Sequence, residues 1–364
     1  MLPKLHVFIL AGGAGTRFWP RSRRYLPKQF LRIFDDQSLL QDTVARVQGL
    51  CAPGNLWVLT RADLAKTVRA QLPQLSANRL AIEPEMRDTA PALVLASALV
   101  EQVDPKAWIL VLPADHRITP AEKFRANVRA AVAALRARDG LMTFGIHPTQ
   151  PSSDYGYIQE QQGTATRAQG VTVRDVKRFT EKPRRATAKR FLRAGGYYWN
   201  AGIFLWRLST FKTELATCAP QFAAGFDKLV GLGAALRNPK SPRLQRTFAA
   251  LQKISIDFAL LEKSQRVRVA EAQFDWDDVG SWLALARHKS ADRDGNFCEG
   301  QVVPHDVNNS ILLASGRRVI AAMGLRQLVV VDTPEALLVC RKRDLGRMRD
   351  LVAALEAAGS EHVL

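Results

Sequence analysis

Leu10-Ala-Gly-Gly-Ala-Gly-Thr-Arg-Phe-Trp-Pro-Arg-Ser-Arg-Arg-Tyr-Leu-Pro-Lys28 decides how the rest of the 364-residue chain is read. A short apolar run, Leu5 to Leu10, enters a loop carrying Ala11, Gly12, Gly13 and Gly15, with Thr16 and Arg17 behind it and Lys28 further on. Glycines tolerate φ > 0 and close backbone approach, so consecutive N–H groups can converge on phosphate oxygens. Arg17 adds a planar fork and Lys28 a point charge beside that cradle. The combination reads as a site for a nucleoside triphosphate. It is not a Walker A loop, because no Gly-Lys pair follows. Nor is it the dinucleotide fingerprint, since counting from Gly13 puts Phe18 at the last glycine position.

Outward from the loop, the first 150 residues alternate apolar strands with helical patterns. Leu5–Leu10, Leu56–Thr60, Leu80–Ile82, Trp108–Leu112 and Leu141–Ile146 are apolar but for His6, Thr60 and Thr143, as in strands covered on both faces. Ser38 and Gln41 form a capping box ahead of Leu40, Val44 and Val47. Asp88 or Thr89 caps an apolar helix that has Pro91 near its start and runs to Val103. Phe124, Val128, Val132 and Leu135 recur at helical spacing before Asp139-Gly140. This predicts a doubly wound α/β domain, with ligands beyond the carboxyl ends of its strands.

From about 151 the pattern changes. Tyr155–Gln159 and Val171–Thr180 read as paired strands joined by a loop over 160–170, and 197–206 as an aromatic-rich strand. Helices are expected around 209–217, 243–252 and 255–263, and another from Ser281. Past 295 come short strands, Ser310–Leu313, Val319–Ala322, Leu328–Val331 and Ala336–Val339. A terminal helix places Leu345, Met348, Leu351 and Leu355 on one face. A boundary near 290 divides a domain of residues 1–290 from a small β-rich domain of residues 291–364.

Composition narrows the function classes. With 47% hydrophobic and 24% charged residues the chain is an ordinary globular protein. No apolar stretch approaches the roughly 18 residues of a membrane span, and no signal peptide is expected. Cys51, Cys218, Cys298 and Cys340 are scattered without metal-ligand spacing, which points to the cytoplasm. The net charge of +18 suits either polyanionic ligands or an arginine-rich surface. Arginines are spread along the chain without a nucleic-acid-binding motif, so no nucleic-acid partner is expected.

Several residues can carry chemistry, each beside a plainer reading. Asp115 ends a buried strand and is a natural Mg²⁺ ligand, or else caps the next element. Asp278 is a candidate second carboxylate, Asp277 beside it can take either role, and His116 reads as a structural neighbour. Glu83 can accept from a guanine N1 and N2 donor pair. Glu181 and Lys182 follow a strand, with alternation placing them on opposite faces; Lys182 suits a sugar phosphate and Glu181 a pair of hydroxyls.

The string L-x-G-G-x-G-T-R-x-x-P-x-S-x-x-x-x-P-K resembles the signature of the sugar-phosphate nucleotidyltransferases. With EPEMRDTAPA, VLPADHRI, TFGIHPTQPSSDYGYI, VKRFTEKP, YYWNAGIFLW, SIDFALLEK and FDWDDVGSW in family order, the chain resembles the bacterial mannose-1-phosphate guanylyltransferases. The likeness is to the shorter kind, without a fused cupin-like isomerase domain. The resemblance implies a Rossmann-like nucleotidyltransferase domain, a C-terminal left-handed β-helix, and transfer of GMP from GTP to mannose 1-phosphate with Mg²⁺. It further implies that Leu10, Ala11, Gly12, Gly13, Gly15, Thr16 and Arg17 cradle the GTP phosphates, with Lys28 near the α-phosphate and Arg17 and Lys28 catalytic. Glu83, Arg87, Thr89 and Pro91 would line the base and ribose pocket. Asp115 and Asp278 would hold the metal; Tyr155, Gly156, Glu181, Lys182 and Asn200 would receive the sugar phosphate. A homodimer is a further implication. The family usually has Asn at Asp88 and more often Ser at Ala201. Alternatives are GTP with a heptose 1-phosphate, dTTP with glucose 1-phosphate, a non-catalytic homologue, and a polyanion-binding protein.

Overall fold

The structure, a computed structural model, describes residue 2, residues 4–13 and residues 15–364. Two compact units make up the chain. The first comprises Met1–Gly12, Thr43–Ala114 and Ile118–Trp276; the second comprises Gly13–Asp42, Asp115–Arg117 and Asp277–Leu364.

A ten-stranded sheet forms the first unit. Its order is Leu80–Glu83, Leu56–Arg61, Leu5–Leu10, Trp108–Pro113, Tyr197–Arg207, Leu141–Ile146, Val267–Glu271, Val171–Thr180 and Tyr157–Glu160, with Thr166–Ala168 paired to Val171–Thr180. The first four strands are parallel, and Tyr197–Arg207 is antiparallel to both its long neighbours. Register brings Leu10 beside Pro113 and Arg61 beside Glu83. The carboxyl ends of these parallel strands therefore lie along one edge, as a doubly wound sheet requires. Helix Thr89–Glu101 is buried from Ala90 to Val100. It shares a core with Phe211, Phe222, Phe248 and Trp206. Asp88 is its cap, accepting from Thr89 N at 2.7 Å. No helix among the described residues is long and apolar enough to cross a membrane.

Several elements differ from expectation. The loop predicted over 160–170 contains the strand Thr166–Ala168, whose exposed polar residues give no apolar signal. Val267–Glu271, inside the sheet, escaped prediction because Arg268 and Glu271 break its apolar run. Arg268 is nonetheless buried and donates to the carbonyls of Ala134 and Arg138. The helix expected over 255–263 is a π-helical turn, Asp257–Leu261.

In the second unit, Phe297–Glu299, Ile311–Ala314 and Leu328–Asp332 stack in parallel, with Leu337–Arg341 antiparallel at the end. A parallel pair, Val302–His305 and Ile320–Met323, forms the other face. Val302, Leu312, Ile320 and Val330 pack together as one core. Another joins Phe18, Trp19, Val279 and Trp282 to Ile311, Val329 and Leu338. The terminal helix spans Met348–Ala357 after the 3₁₀ turn Lys342–Arg347. That turn shifts the apolar face to Leu345, Met348, Val352 and Leu355, leaving Leu351 37% exposed rather than on the predicted face. The chain end braces the loop before Lys28: Trp19 Nε1 and Arg23 Nη1 both donate to Val363 O, at 2.8 and 2.6 Å.

Candidate active site

The second unit gathers the charged groups singled out around the glycine loop. Lys28 is 4% exposed, on the short turn Lys28–Phe30. Its ammonium lies 2.7 Å from Asp115 Oδ2, 2.7 Å from Asp278 O and 3.1 Å from Val279 O. Three acceptors match the three protons of an ammonium. Lys28 thus ties the residue after one buried strand to the loop that carries the second carboxylate. A Cβ built on Gly280 would sit 2.9 Å from Asp278 Oδ2 and 3.4 Å from Arg17 Nη1, so Arg17 and the Asp278 carboxylate flank the same glycine. Arg17, Lys28, Asp115 and Asp278 converge.

Electrostatics follow from this packing. Burial alone raises the pKa of Asp115, but Lys28, His116 and Arg17 together outweigh it and hold the carboxyl below its ordinary range. Asp115 stays ionised through neutral pH. Its neighbour His116 sits 3.8 Å from Asp115 Oδ1, consistent with a supporting role.

Asp277 and Asp278, equivalent by spacing, part company here. Asp277 is 7% exposed and accepts from Arg287 Nε and Nη2 at 2.6 and 2.8 Å, and from Val279 N at 2.7 Å. His288 Nε2 adds a contact at 2.8 Å. Asp277 holds the turn that presents Asp278.

Gly15 explains why the loop needs glycine at that position. Its φ is +63°, and an added Cβ would run into the Lys28 backbone nitrogen and lie 2.8 Å from Lys28 Cβ. Gln29 Nε2 also donates to Gly13 O at 3.0 Å, closing the loop on the turn that carries Lys28. Gly15→Ala should lower kcat about 100-fold by displacing Lys28. Steady-state kinetics on the variant measure this.

In the first unit, Gly12 lies between two side chains: a Cβ there would sit 3.9 Å from Arg61 Cγ and 4.0 Å from Glu83 Oε2. Leu10 ends its strand, and Ala11 N donates to Leu59 O at 2.8 Å, fixing the entry to the loop. Arg87 pairs with Glu85 and donates to Leu251 O at 2.7 Å. Thr89 Oγ1 accepts from Ile256 N at 2.9 Å. Pro91 is buried within its helix. Arg87 and Thr89 thus anchor the segment 251–256, a role their sequence context did not reveal.

Tyr155, Gly156, Glu181, Lys182 and Asn200 assemble in the same unit. Tyr155 meets the rings of Trp199 and Trp276 at 4.9 and 5.1 Å. Asn200 N donates to Gly156 O at 2.8 Å. A Cβ on Gly156 would be 2.5 Å from Glu181 Oε2, so only glycine lets that carboxylate approach. Lys182 pairs with Glu181 instead of pointing to the opposite face, because the strand ends at Thr180 and alternation stops there. Asn200 accepts from Thr143 Oγ1 at 2.8 Å and donates to Asp257 Oδ1 at 3.1 Å.

Asp257 is the residue that sequence reading left without a role. Burial first, and the Glu181 charge second, push its carboxyl up to about 7. Burial likewise pushes Glu83 up to about 7, against the pull of Arg61. Both groups keep their protons in the folded chain to higher pH than in the unfolded one. Stability therefore falls as pH rises from about 4.5 to about 7, and the loss is complete above that. Glu83→Gln should raise Tm more at pH 8 than at pH 5, which thermal denaturation at the two pH values checks.

Comparison with known proteins identifies the family. The nucleotidyl transferase family model matches residues 6–295, and a MannoseP isomerase/GMP-like beta-helix domain model matches residues 300–355. The xanthan biosynthesis protein XanB of Xanthomonas campestris pv. campestris (strain B100) is 38% identical over 355 residues, covering 96% of this chain and 73% of that protein. A mannose-1-phosphate guanylyltransferase of Sinorhizobium fredii is 36% identical, covering 98% of this chain and 69% of that protein. A crystal structure described as a mannose-1-phosphate geranyltransferase from Thermus thermophilus superposes with a TM-score of 0.84 at 34% identity. That match covers 97% of this chain and 99% of the other.

Proposed function

We infer the reaction from one premise: the chain belongs to the nucleotidyl transferase family. We propose that it transfers GMP from GTP to α-D-mannose 1-phosphate, giving GDP-mannose and pyrophosphate. The Sinorhizobium relative supports the choice of sugar and base, and the convergence of Arg17, Lys28, Asp115 and Asp278 supports the chemistry. That convergence carries the proposal, because a fold that merely bound nucleotide would not need two cations and two carboxylates on one glycine-lined loop system. The setting is the cytoplasm, in keeping with four free thiols.

In the proposed step a phosphate oxygen of the sugar phosphate forms a bond to the α-phosphorus of GTP. The bond from that phosphorus to the bridging oxygen breaks in line, and pyrophosphate leaves with its electron pair. The attacking phosphate is already ionised, so no protein base is required. The chain's task is alignment and neutralisation of charge. Arg17 lies beside the Asp278 carboxylate and offers a fork to phosphate oxygens. Lys28, with its protons engaged, holds Asp115 and the 278–279 carbonyls in place, and it reaches a phosphate by giving up one of these acceptors.

The donor set fits Mg²⁺. Among the described residues no three His, Cys, Asp or Glu side chains form a metal cage. Two aspartates are what Mg²⁺ takes from a protein when substrate phosphates complete its shell. Asp115 and Asp278 would hold it, and when bound it supplies positive charge to the phosphates.

In the first unit, Glu83 faces Gly12 with a carboxyl suited to paired N–H donors of guanine, near the ribose-side residues Arg87, Thr89 and Pro91. Glu181, Asn200 and Gly156 offer acceptors and a donor to sugar hydroxyls, with Lys182 and Tyr155 completing that pocket. A panel of GTP, ATP, UTP and dTTP against mannose, glucose and heptose 1-phosphates, read by pyrophosphate release, tests the assignment. GTP with mannose 1-phosphate should exceed every other pair in kcat/KM by about 100-fold or more. A preference for another pair would reassign the substrates.

A further inference from the structure

The second unit also contains a cavity of about 440 Å³, separate from the Lys28 ammonium and unused by the proposed reaction. Its lining combines the apolar Leu26, Phe30, Leu31 and Pro334 with Arg21, Arg23 and Arg32. Among its lining residues three guanidinium groups face one carboxylate, Glu335. Arg32 is exposed and has no ion pair among the described residues. Arg23 is 5% exposed and gives Nη1 to Val363 O at 2.6 Å. Its Nη2 reaches Thr333 Oγ1 and Glu335 Oε2 only at 3.4 Å, near the limit of a hydrogen bond. That guanidinium edge has room for a stronger acceptor. Arg21 meets Glu299 at 2.8 Å and Ser315 Oγ at 3.2 Å. Tyr25, 64% exposed, presents a large ring at the same cavity.

We propose that this cavity binds a nucleoside diphosphate. Its volume lies within the range of small-molecule sites, and a partly apolar lining with a few polar groups is their usual chemistry. Guanidinium groups recognise phosphate through paired N–H donors, so Arg23 and Arg32 take the phosphates. The Tyr25 ring stacks on the base, a contact every base can make. Glu335, with 54% of its side chain exposed, competes for Arg23 and swings aside when the phosphates enter.

Calorimetric titration of the full chain with GDP, and separately with inorganic pyrophosphate, tests this. Tyr25, Arg32 and Glu335 lie outside the proposed catalytic groups and are exposed, so the variants should keep the parent Tm. Arg32→Glu should weaken one class of GDP site at least about tenfold, and Glu335→Gln should tighten the same class. Tyr25→Ala should weaken GDP there while leaving pyrophosphate unchanged. Binding of both probes that none of the three substitutions alters would overturn the site. Equal sensitivity of GDP and pyrophosphate to Tyr25→Ala would overturn the nucleotide assignment. The inference does not rest on the transfer reaction: a chain inactive with GTP and mannose 1-phosphate would still show the substitution-sensitive site.

Discussion

Lys28→Ala should lower kcat roughly 1000-fold, with a much smaller change in KM for the sugar phosphate. The side chain is 6% exposed and its ammonium holds three acceptors, so alanine removes three internal contacts. The Asp115 carboxylate loses its nearest cation, and two carbonyls at 278 and 279 lose their shared donor. Breaking one side of a partly buried ion pair costs about 3–5 kcal/mol at most, and Asp115 retains a third of its exposure, so the lower end is expected. Thermal denaturation separates this cost from the catalytic one. Activity measured well below the variant's Tm should still be lost. Lys28→Arg should not restore it, because a planar fork cannot place three donors where a compact ammonium does. Near-normal turnover of Lys28→Ala would remove Lys28 from the reaction.

Asp278→Asn should also lower kcat roughly 100- to 1000-fold. In addition it should raise the Mg²⁺ concentration giving half-maximal rate by about tenfold or more, since carboxylate charge dominates binding of this cation. Asp277→Asn is the control. Its carboxylate is bound by Arg287, His288 and Val279 N, so substitution should lower Tm and leave the Mg²⁺ dependence near the parent's. Measuring rate against Mg²⁺ for both variants decides the matter. If Asp277→Asn shifts the metal requirement and Asp278→Asn does not, the two roles are exchanged.

Legibility in the sequence tracked how local the determining interaction was. Buried parallel strands such as Leu5–Leu10 and Trp108–Pro113 announce themselves as apolar runs, since both faces exclude water. The cap at Asp88 and the Ser38–Gln41 box are equally local, each settled within four residues. Val267–Glu271 was hidden because Arg268 satisfies its guanidinium on carbonyls some 130 residues earlier in the chain. Glu181 and Lys182 depart from opposite faces because strand alternation applies only while the strand continues.

From its residues alone the chain determined a glycine-rich loop after the first strand, a doubly wound sheet, and the charged candidates around the loop. Those features depend on spacing, backbone freedom and hydrophobic pattern, all short-range. Only the tertiary structure decided that Asp277 is neutralised by Arg287 and His288 while Asp278 flanks Gly280 with Arg17. It alone decided that Lys28 is engaged by Asp115 and the carbonyls near 278, and that Asp257 belongs with Asn200. The physical reason is that a charge is defined by the partners that surround it, and those of Lys28 lie up to 251 residues away in the chain.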